Sequence, residues 1–218
     1  MAQATELPDV TTRTDSSIIC PTLHHYGIVT DQPDELVDWY AKVVGMEINL
    51  MSTTPFGKGG PSGPKGIWVS NDGTHHRIAV IAPPGVQKLE NPGQYVRVQH
   101  SAWEFNSIAE LMDSYERIRD LGIRPVVCVD HGPSVAFYYK DPDNNTVELL
   151  ADAFGDWRRS REFLRTQQCM RDNPMGSYVD PDRMLEAYRQ GASDDELHER
   201  AFGGEFIPDP LPDPRQLV

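Results

Sequence analysis

An α+β fold is predicted, made of two copies of one strand–helix–strand unit followed by a helical carboxy-terminal extension. Three observations predict it. The segments HYGIVTDQPDELVDWYAKVVGMEI, from His25, and HSAWEFNSIAELMDSYERIRDLGI, from His100, hold one register to Tyr40 and Tyr115, reaching Glu-Leu-x-Asp-x-Tyr at the same offset. Each copy then runs through a glycine, Gly45 or Gly122, into extended stretches. After residue 155 the composition turns to charged, helix-patterned sequence.

The elements follow in order. Residues 1–17, MAQATELPDVTTRTDSS, are a polar segment without the charged and apolar regions of a secretory signal. Residues 18–155 read as one domain, with modules at about 21–83 and 98–152. In each module a short strand begins at the histidine. A helix follows, with Leu36, Trp39, Tyr40 and Val43 in the first copy and Leu111, Tyr115 and Ile118 in the second at helical spacing. Gly45 and Gly122 stand where a helix-ending glycine belongs. GIWVS and HHRIAVIA then read as strands of the first copy, and VVCVD, VAFYYK and TVELLA as strands of the second. Residues 84–97 join the copies as a loop.

In the extension, 156–218, DWRRSREFLRTQQCMRD and DPDRMLEAYRQGASDDELHERAF read as helices, with Asp180-Pro181 a start and Gly191 a stop. IPDPLPDPRQLV reads as an extended or disordered end. The extension could cover a pocket mouth, wrap its own domain or reach another subunit, and the sequence leaves the three open.

Composition narrows the function. A net charge of −13 and a pI near 4.8 exclude nucleic acid and anionic membrane surfaces as partners, since both require basic surface. No apolar run approaches the roughly 20 residues that span a bilayer. Cys20, Cys128 and Cys169 are odd in number and far apart, which predicts free thiols and a reducing cytoplasm.

Chemistry concentrates on the histidines. Neighbouring strand residues face opposite ways, so the repeat register selects His25 rather than His24 as the counterpart of His100. His100, Ala102 and Glu104 then share one face, and Trp103 and Phe105 pack on the helix. His25, Gly27 and Val29 share a face opposite Tyr26 and Ile28, and His24 points away. Aligning the turns in NDGTHHRIAV and PDNNTVELLA, with Gly73 and Asn145 as the left-handed residues, pairs His76 with Glu148. His75 is the outward neighbour of His76. His25, His100 and Glu148 are thus candidates for a metal site. Two imidazoles and one carboxylate leave positions open for a substrate and dioxygen, which suits Fe(II). Tyr138, ten residues before Glu148, joins that side only if the turn at Asp141–Asn145 folds it back.

The motifs LHHYGIVTDQPDELVDWYAKVVGM, HHRIAV, HSAWEF and HGPSVAFYYKDPDNNTVELLAD, spanning about residues 21–155, carry a resemblance. The chain resembles the vicinal oxygen chelate superfamily, and within it the single-domain type I extradiol dioxygenases that cleave catechol rings. The resemblance implies two βαβββ modules forming a curved mixed sheet around a metal. It implies His25, His100 and Glu148 as ligands of Fe(II), with Mn(II) the alternative metal, and O2 as co-substrate. His76 matches the acid/base histidine, and His131 and Tyr138 match groups that hydrogen-bond near the oxygen and the substrate hydroxyl. Asn145 departs from the usual glycine of the Asp-Pro-Asp turn.

The activity implied is ring cleavage of an aromatic diol, inserting both atoms of O2, by a cytoplasmic homo-oligomer of aromatic catabolism. Two alternatives stay open: a glyoxalase- or epimerase-like metalloenzyme using His76 as a fourth ligand, and a metal-free protein that sequesters a small molecule.

Overall fold

A computed structural model describes residues 17, 19, 21–52, 64–90 and 92–217; the amino-terminal segment, Cys20 and residues 53–63 lie largely or wholly outside them. The first module comprises β1 (Tyr26–Val29), α1 (Pro33–Val44), β2 (Glu47–Ser52), β3 (Lys65–Ser70) and β4 (Ile78–Ala82). The second comprises β5 (His100–Phe105), α2 (Ile108–Asp120), β6 (Val127–Asp130), β7 (Ser134–Lys140) and β8 (Thr146–Asp152). Each is βαβββ, with the first strand parallel to the last and the other pairs antiparallel. The strands form two mixed sheets, ordered β1-β4-β3-β2 and β5-β8-β7-β6-β9, where β9 is the two-residue strand Ser177–Tyr178.

The helices form for the anticipated reasons. α1 opens on a proline with Asp34 and Glu35 in its first turn, where they complement the helix dipole, and closes at Gly45 with φ 75°. α2 is capped by the Ser107 side chain, which accepts from the Glu110 amide at 3.0 Å. Their apolar stripes, including Leu36, Tyr40 and Val43 and then Leu111, Tyr115 and Ile118, are buried against the sheets. Tyr26, Ile28, Trp103 and Phe105 pack on the same core, while Gly27, Val29, Ala102 and Glu104 are exposed on the other face. The modules meet where Tyr26 Oη donates to Ser101 Oγ at 3.2 Å and Gln32 Nε2 donates to the Pro142 carbonyl at 2.7 Å.

Strand register corrects one equivalence. Gly27 pairs with Ala79, as Ala102 pairs with Glu148. The counterpart of Glu148 is therefore Ala79, and His76 lies in the loop ahead of β4. The β3–β4 connection, residues 71–77, is longer than the β7–β8 turn, residues 141–145. It is wound around Asp72, which accepts from the Thr74 amide at 2.9 Å and from Arg77 Nη2 at 2.6 Å. Aligning the two turns thus displaces the strands that follow them. The left-handed residue of the second turn is Asn144 (φ 64°), not Asn145, and Gly73 has no positive φ.

The extension wraps its own domain. It forms α3 (Trp157–Thr166), α4 (Gln168–Asp172), a short β9 (Ser177–Tyr178), α5 (Pro181–Arg189) and α6 (Asp194–Phe202). Asp180 caps α5 and Gly191 (φ 97°) follows its end, as the sequence predicts. The strand β9, which pairs with β6, was hidden because two residues carry no periodicity. Asp194 accepts from the first amides of α2, at 2.9 Å from Ile108 and 3.0 Å from Ala109, so α6 caps a second-module helix. The end of the chain is ordered as a 3-10 turn over Pro214–Leu217. Among the described residues no helix is long and apolar enough to cross a membrane, and Cys128 and Cys169 are free thiols.

Candidate functional site

Both modules line one open cleft of about 1070 Å³, and His24, His25 and His100 face it. β1 begins only at Tyr26, so His24 and His25 precede the strand and its alternation does not separate them. The expectation that His24 points away is therefore corrected. The same holds for His75 and His76, which precede β4. The four rings cluster: His25 and His76 lie 4.2 Å apart between centroids, and His24 and His75 4.7 Å. Burial, then the neighbouring His25, His75 and His24, lowers the His76 pKa, so its ring holds a proton less readily than a free imidazole.

The second module builds a linear chain of polar groups. β7 pairs with β8 so that Tyr138 stands opposite Glu148; the tight turn folds the tyrosine back as required. Tyr138 Oη donates to Glu148 Oε1 at 2.9 Å, and His131 Nε2 lies 2.9 Å from the same hydroxyl. Glu148 Oε2 lies 2.9 Å from His100 Nε2, where the chain opens on the cleft. Tyr138 and Glu148 are each 6% exposed. Burial, followed by the Glu148 charge, raises the tyrosine pKa far above its ordinary value. Burial likewise lowers the His131 pKa, although Glu148 and the Met175 carbonyl act in the other direction.

The Met175 carbonyl, 2.9 Å from His131 Nδ1, can only accept, so Nδ1 carries a hydrogen. In the neutral ring Nε2 is then an acceptor. Tyr138 has one hydrogen and two neighbours able to take it, His131 Nε2 and Glu148 Oε1, and can serve one at a time. The chain is thus arranged to pass a proton along the tyrosine.

His100 is oriented in a comparable way. The Gln99 amide nitrogen donates to the Leu217 carbonyl, so Gln99 Oε1 is the atom facing His100 Nδ1. His100 Nδ1 therefore carries the hydrogen, leaving Nε2 as the donor atom presented beside Glu148. A metal-binding imidazole needs this second hydrogen bond, so His100 and Glu148 fit a divalent cation in chemistry and orientation. Among the described residues, however, no three His, Cys, Asp or Glu side chains converge as metal donors. His25 shares the cleft with His100 but clusters with His76.

Sequence reading missed four contributors. Gln99 could have been suspected from its place beside His100. His198, the one histidine of seven not discussed from sequence, holds Asp130 Oδ2 at 2.8 Å from a helix whose Leu197 and Ala201 are buried. Met175 acts through its backbone and left no side-chain signal. Glu104, on the cleft face, accepts from Trp157 Nε1 at 2.8 Å, and nothing in either residue's neighbourhood foretold that pairing.

Comparisons with known proteins bear on family and fold. Residues 22–149 match the profile described as the Glyoxalase/Bleomycin resistance protein/Dioxygenase superfamily. The chain is 32% identical over 184 residues to biphenyl-2,3-diol 1,2-dioxygenase 3 of Rhodococcus globerulus, covering 84% of this chain and 90% of that protein. It is 29% identical over 194 residues to biphenyl-2,3-diol 1,2-dioxygenase 2 of the same organism, covering 89% and 95%. In fold it is similar to the crystal structure of a glyoxylase/bleomycin resistance protein/dioxygenase domain from Frankia sp. EAN1pec, with a TM-score of 0.51, 13% identity, and coverage of 62% of this chain and 93% of that one.

Proposed function

The chain belongs to the glyoxalase/bleomycin resistance protein/dioxygenase superfamily, and from that premise we propose that it is an extradiol dioxygenase cleaving the ring of a catechol-type aromatic diol. The observation that carries the proposal is the chain His100–Glu148–Tyr138–His131, which links His100 on the cleft to a buried carboxylate, phenol and imidazole. The names of the two Rhodococcus relatives support an aromatic diol as substrate and dioxygen as co-substrate.

His25, His100 and Glu148 are the residues that would hold Fe(II), His25 coming from the first module. The chemistry a bound Fe(II) supplies is Lewis acidity toward the diol and a route for electrons from the ring to dioxygen. The protein's own groups do the rest. His76, its ring against that of His25, takes a proton from the diol and returns it later in the reaction. Tyr138, its hydrogen free to point to His131 Nε2 or Glu148 Oε1, bonds the substrate oxygen side of the site and shuttles the proton that His131 stores. The cleft is large enough for a one- or two-ring diol.

The test is direct. Fe(II) is loaded without oxygen, a panel of catechols is added, and air is admitted. A yellow ring-opened product with matching oxygen uptake is expected. Bound iron with no colour and no oxygen uptake on any catechol overturns the proposal and favours the glyoxalase-like alternative.

A further inference from the structure

We propose that the carboxy-terminal extension is a working part of the site: it sets the ring tautomer and position of His131, with His198 as the positioning residue. The role given to His131 in the reaction rests on the function proposed above; its tautomer does not.

Three contacts from separate parts of the extension converge on the His131 loop. The first is the turn before β9, where the Met175 carbonyl takes the His131 Nδ1 hydrogen at 2.9 Å. Gly176 makes this approach feasible. Its φ is 76°, and a Cβ there would stand 1.9 Å from the Asp130 carbonyl oxygen and 2.8 Å from His131 Cα. The turn therefore lies directly on the backbone it braces. Asn173 Nδ2 donates to the Gly176 carbonyl at 2.7 Å and keeps the turn closed.

The second contact is the pair Asp130–His198. Asp130 is fully buried, and its Oδ1 accepts from the Gly132 amide at 2.8 Å, which shapes the turn immediately after His131. Its Oδ2 meets His198 Nδ1, on α6, at 2.8 Å. A buried carboxylate with one oxygen unanswered would relax toward solvent and carry the turn with it. His198 answers that oxygen.

The third contact is apolar. Gly132 has φ 94°, and a Cβ there would meet Phe163 of α3 at 2.8 Å, Met170 of α4 at 3.0 Å and Phe202 of α6 at 3.1 Å. Three helices of the extension thus close on the residue next to His131. A neutral imidazole free to choose would favour neither nitrogen decisively. Here the Nδ1 hydrogen is claimed by a carbonyl, so the Nε2 lone pair faces Tyr138.

The experiment reads the tautomer itself, in metal-free protein, by nitrogen-15 NMR of the His131 ring. In the wild type Nδ1 is expected in the protonated range and Nε2 in the unprotonated range. The Nε2–H tautomer, or an even mixture, overturns the proposal without any variant being made.

His198→Ala should move the His131 signals toward a mixture of tautomers. With Fe(II) and a catechol it should lower kcat by about tenfold, the lower range for loss of a group orienting a functional histidine, with KM within about twofold. His198→Asn, whose amide replaces the Nδ1 donor, should restore both. Unchanged His131 resonances in a folded His198→Ala protein overturn the role of His198. If no catechol is cleaved but the resonances behave as expected, the positioning stands and the proposed reaction falls.

Discussion

Replacing Gly176 by alanine tests how closely the extension presses on the site, and Gly45→Ala is its internal control. The two glycines share a backbone conformation, φ 76° and φ 75°. Each substitution therefore carries the same left-handed penalty, about 1–2 kcal/mol for a residue with a Cβ. Their surroundings differ. A Cβ at Gly45 meets nothing within 4 Å, whereas at Gly176 it lands 1.9 Å from the Asp130 carbonyl oxygen. To reach ordinary contact the turn must retreat by more than an ångström. That loosens the Met175–His131 bond, the Asn173–Gly176 bonds and the first β9–β6 pairing. Two or three lost hydrogen bonds at about 1 kcal/mol each bring the total to roughly 3–5 kcal/mol. For a chain of this size a kcal/mol corresponds to about 2–4 °C in Tm. Gly45→Ala should thus melt about 2–8 °C below wild type and Gly176→Ala about 6–20 °C below, by differential scanning calorimetry at the same pH. Equal shifts for the two variants would refute the close approach. Retention of the His131 Nδ1–H signal in Gly176→Ala would refute its link to the site.

Four further perturbations follow from the same geometry. His25→Ala should abolish Fe(II) binding, read as iron per chain after anaerobic loading, while His24→Ala should retain it; the reverse would show that the repeat register chose the wrong histidine. Tyr138→Phe removes the hydroxyl shared by Glu148 and His131, so kcat should fall by about 100-fold while Tm falls by only a few degrees; full activity would exclude the tyrosine from the proton path. Gln99→Leu leaves His100 Nδ1 without its acceptor and should weaken Fe(II) affinity by about 10–100-fold, measured by anaerobic titration; unaltered affinity would mean that the Leu217–Gln99–His100 link orients nothing. Asp182 is buried enough to raise its pKa, yet hydrogen bonds from Tyr115 at 2.7 Å and Arg124 at 2.7 Å lower it overall. A depressed folded pKa gives stability that is present above the unfolded value of about 3.9 and lost as pH falls through the folded one. The Tm gap between wild type and Asp182→Asn should therefore be widest near neutral pH and shrink below about pH 4, and a constant gap would contradict the assignment.

Much of this was legible because the repeat made the chain its own reference. One shared register located both first strands, both helices and the faces of β1 and β5, since burial repeats wherever the same periodicity recurs. The hairpin of Tyr138 and Glu148 was legible for a local reason: Asp141 and the residues after it can form little but a tight turn. Legibility ended where structure depends on loop length or on backbone atoms. The β3–β4 loop carried His76 out of the strand that alternation had assigned it to, and β1 starting at Tyr26 left His24 and His25 together on the cleft. Met175 and Leu217 act through carbonyls, which every residue possesses, so no pattern of side chains could have announced them. Whether His25 meets His100 and Glu148 depends on how the modules approach, on which short-range sequence has no grip, and among the described residues the three do not converge.

The corrected register also explains how two similar modules come to hold one site. Across the first sheet the row Gly27–Ala79–Trp68 is apolar; across the second the equivalent row is Ala102–Glu148–Tyr138. Two substitutions in one row turn a wall suited to a ring face into an acid–phenol pair. An ionised carboxylate at Ala79 would face Trp68 with no phenol to donate to it, and burying it unpaired would be costly. At Glu148 the same group accepts from Tyr138 on one oxygen, and its other oxygen stands 2.9 Å from His100 Nε2. Among the described residues the second module supplies a phenol on the strand beside the acid, where the first has Trp68. Tyr138 and His100 in turn require His131 and Gln99 to be held, and the extension that holds both packs on the second module. The extension and the acid–phenol pair therefore lie on one module.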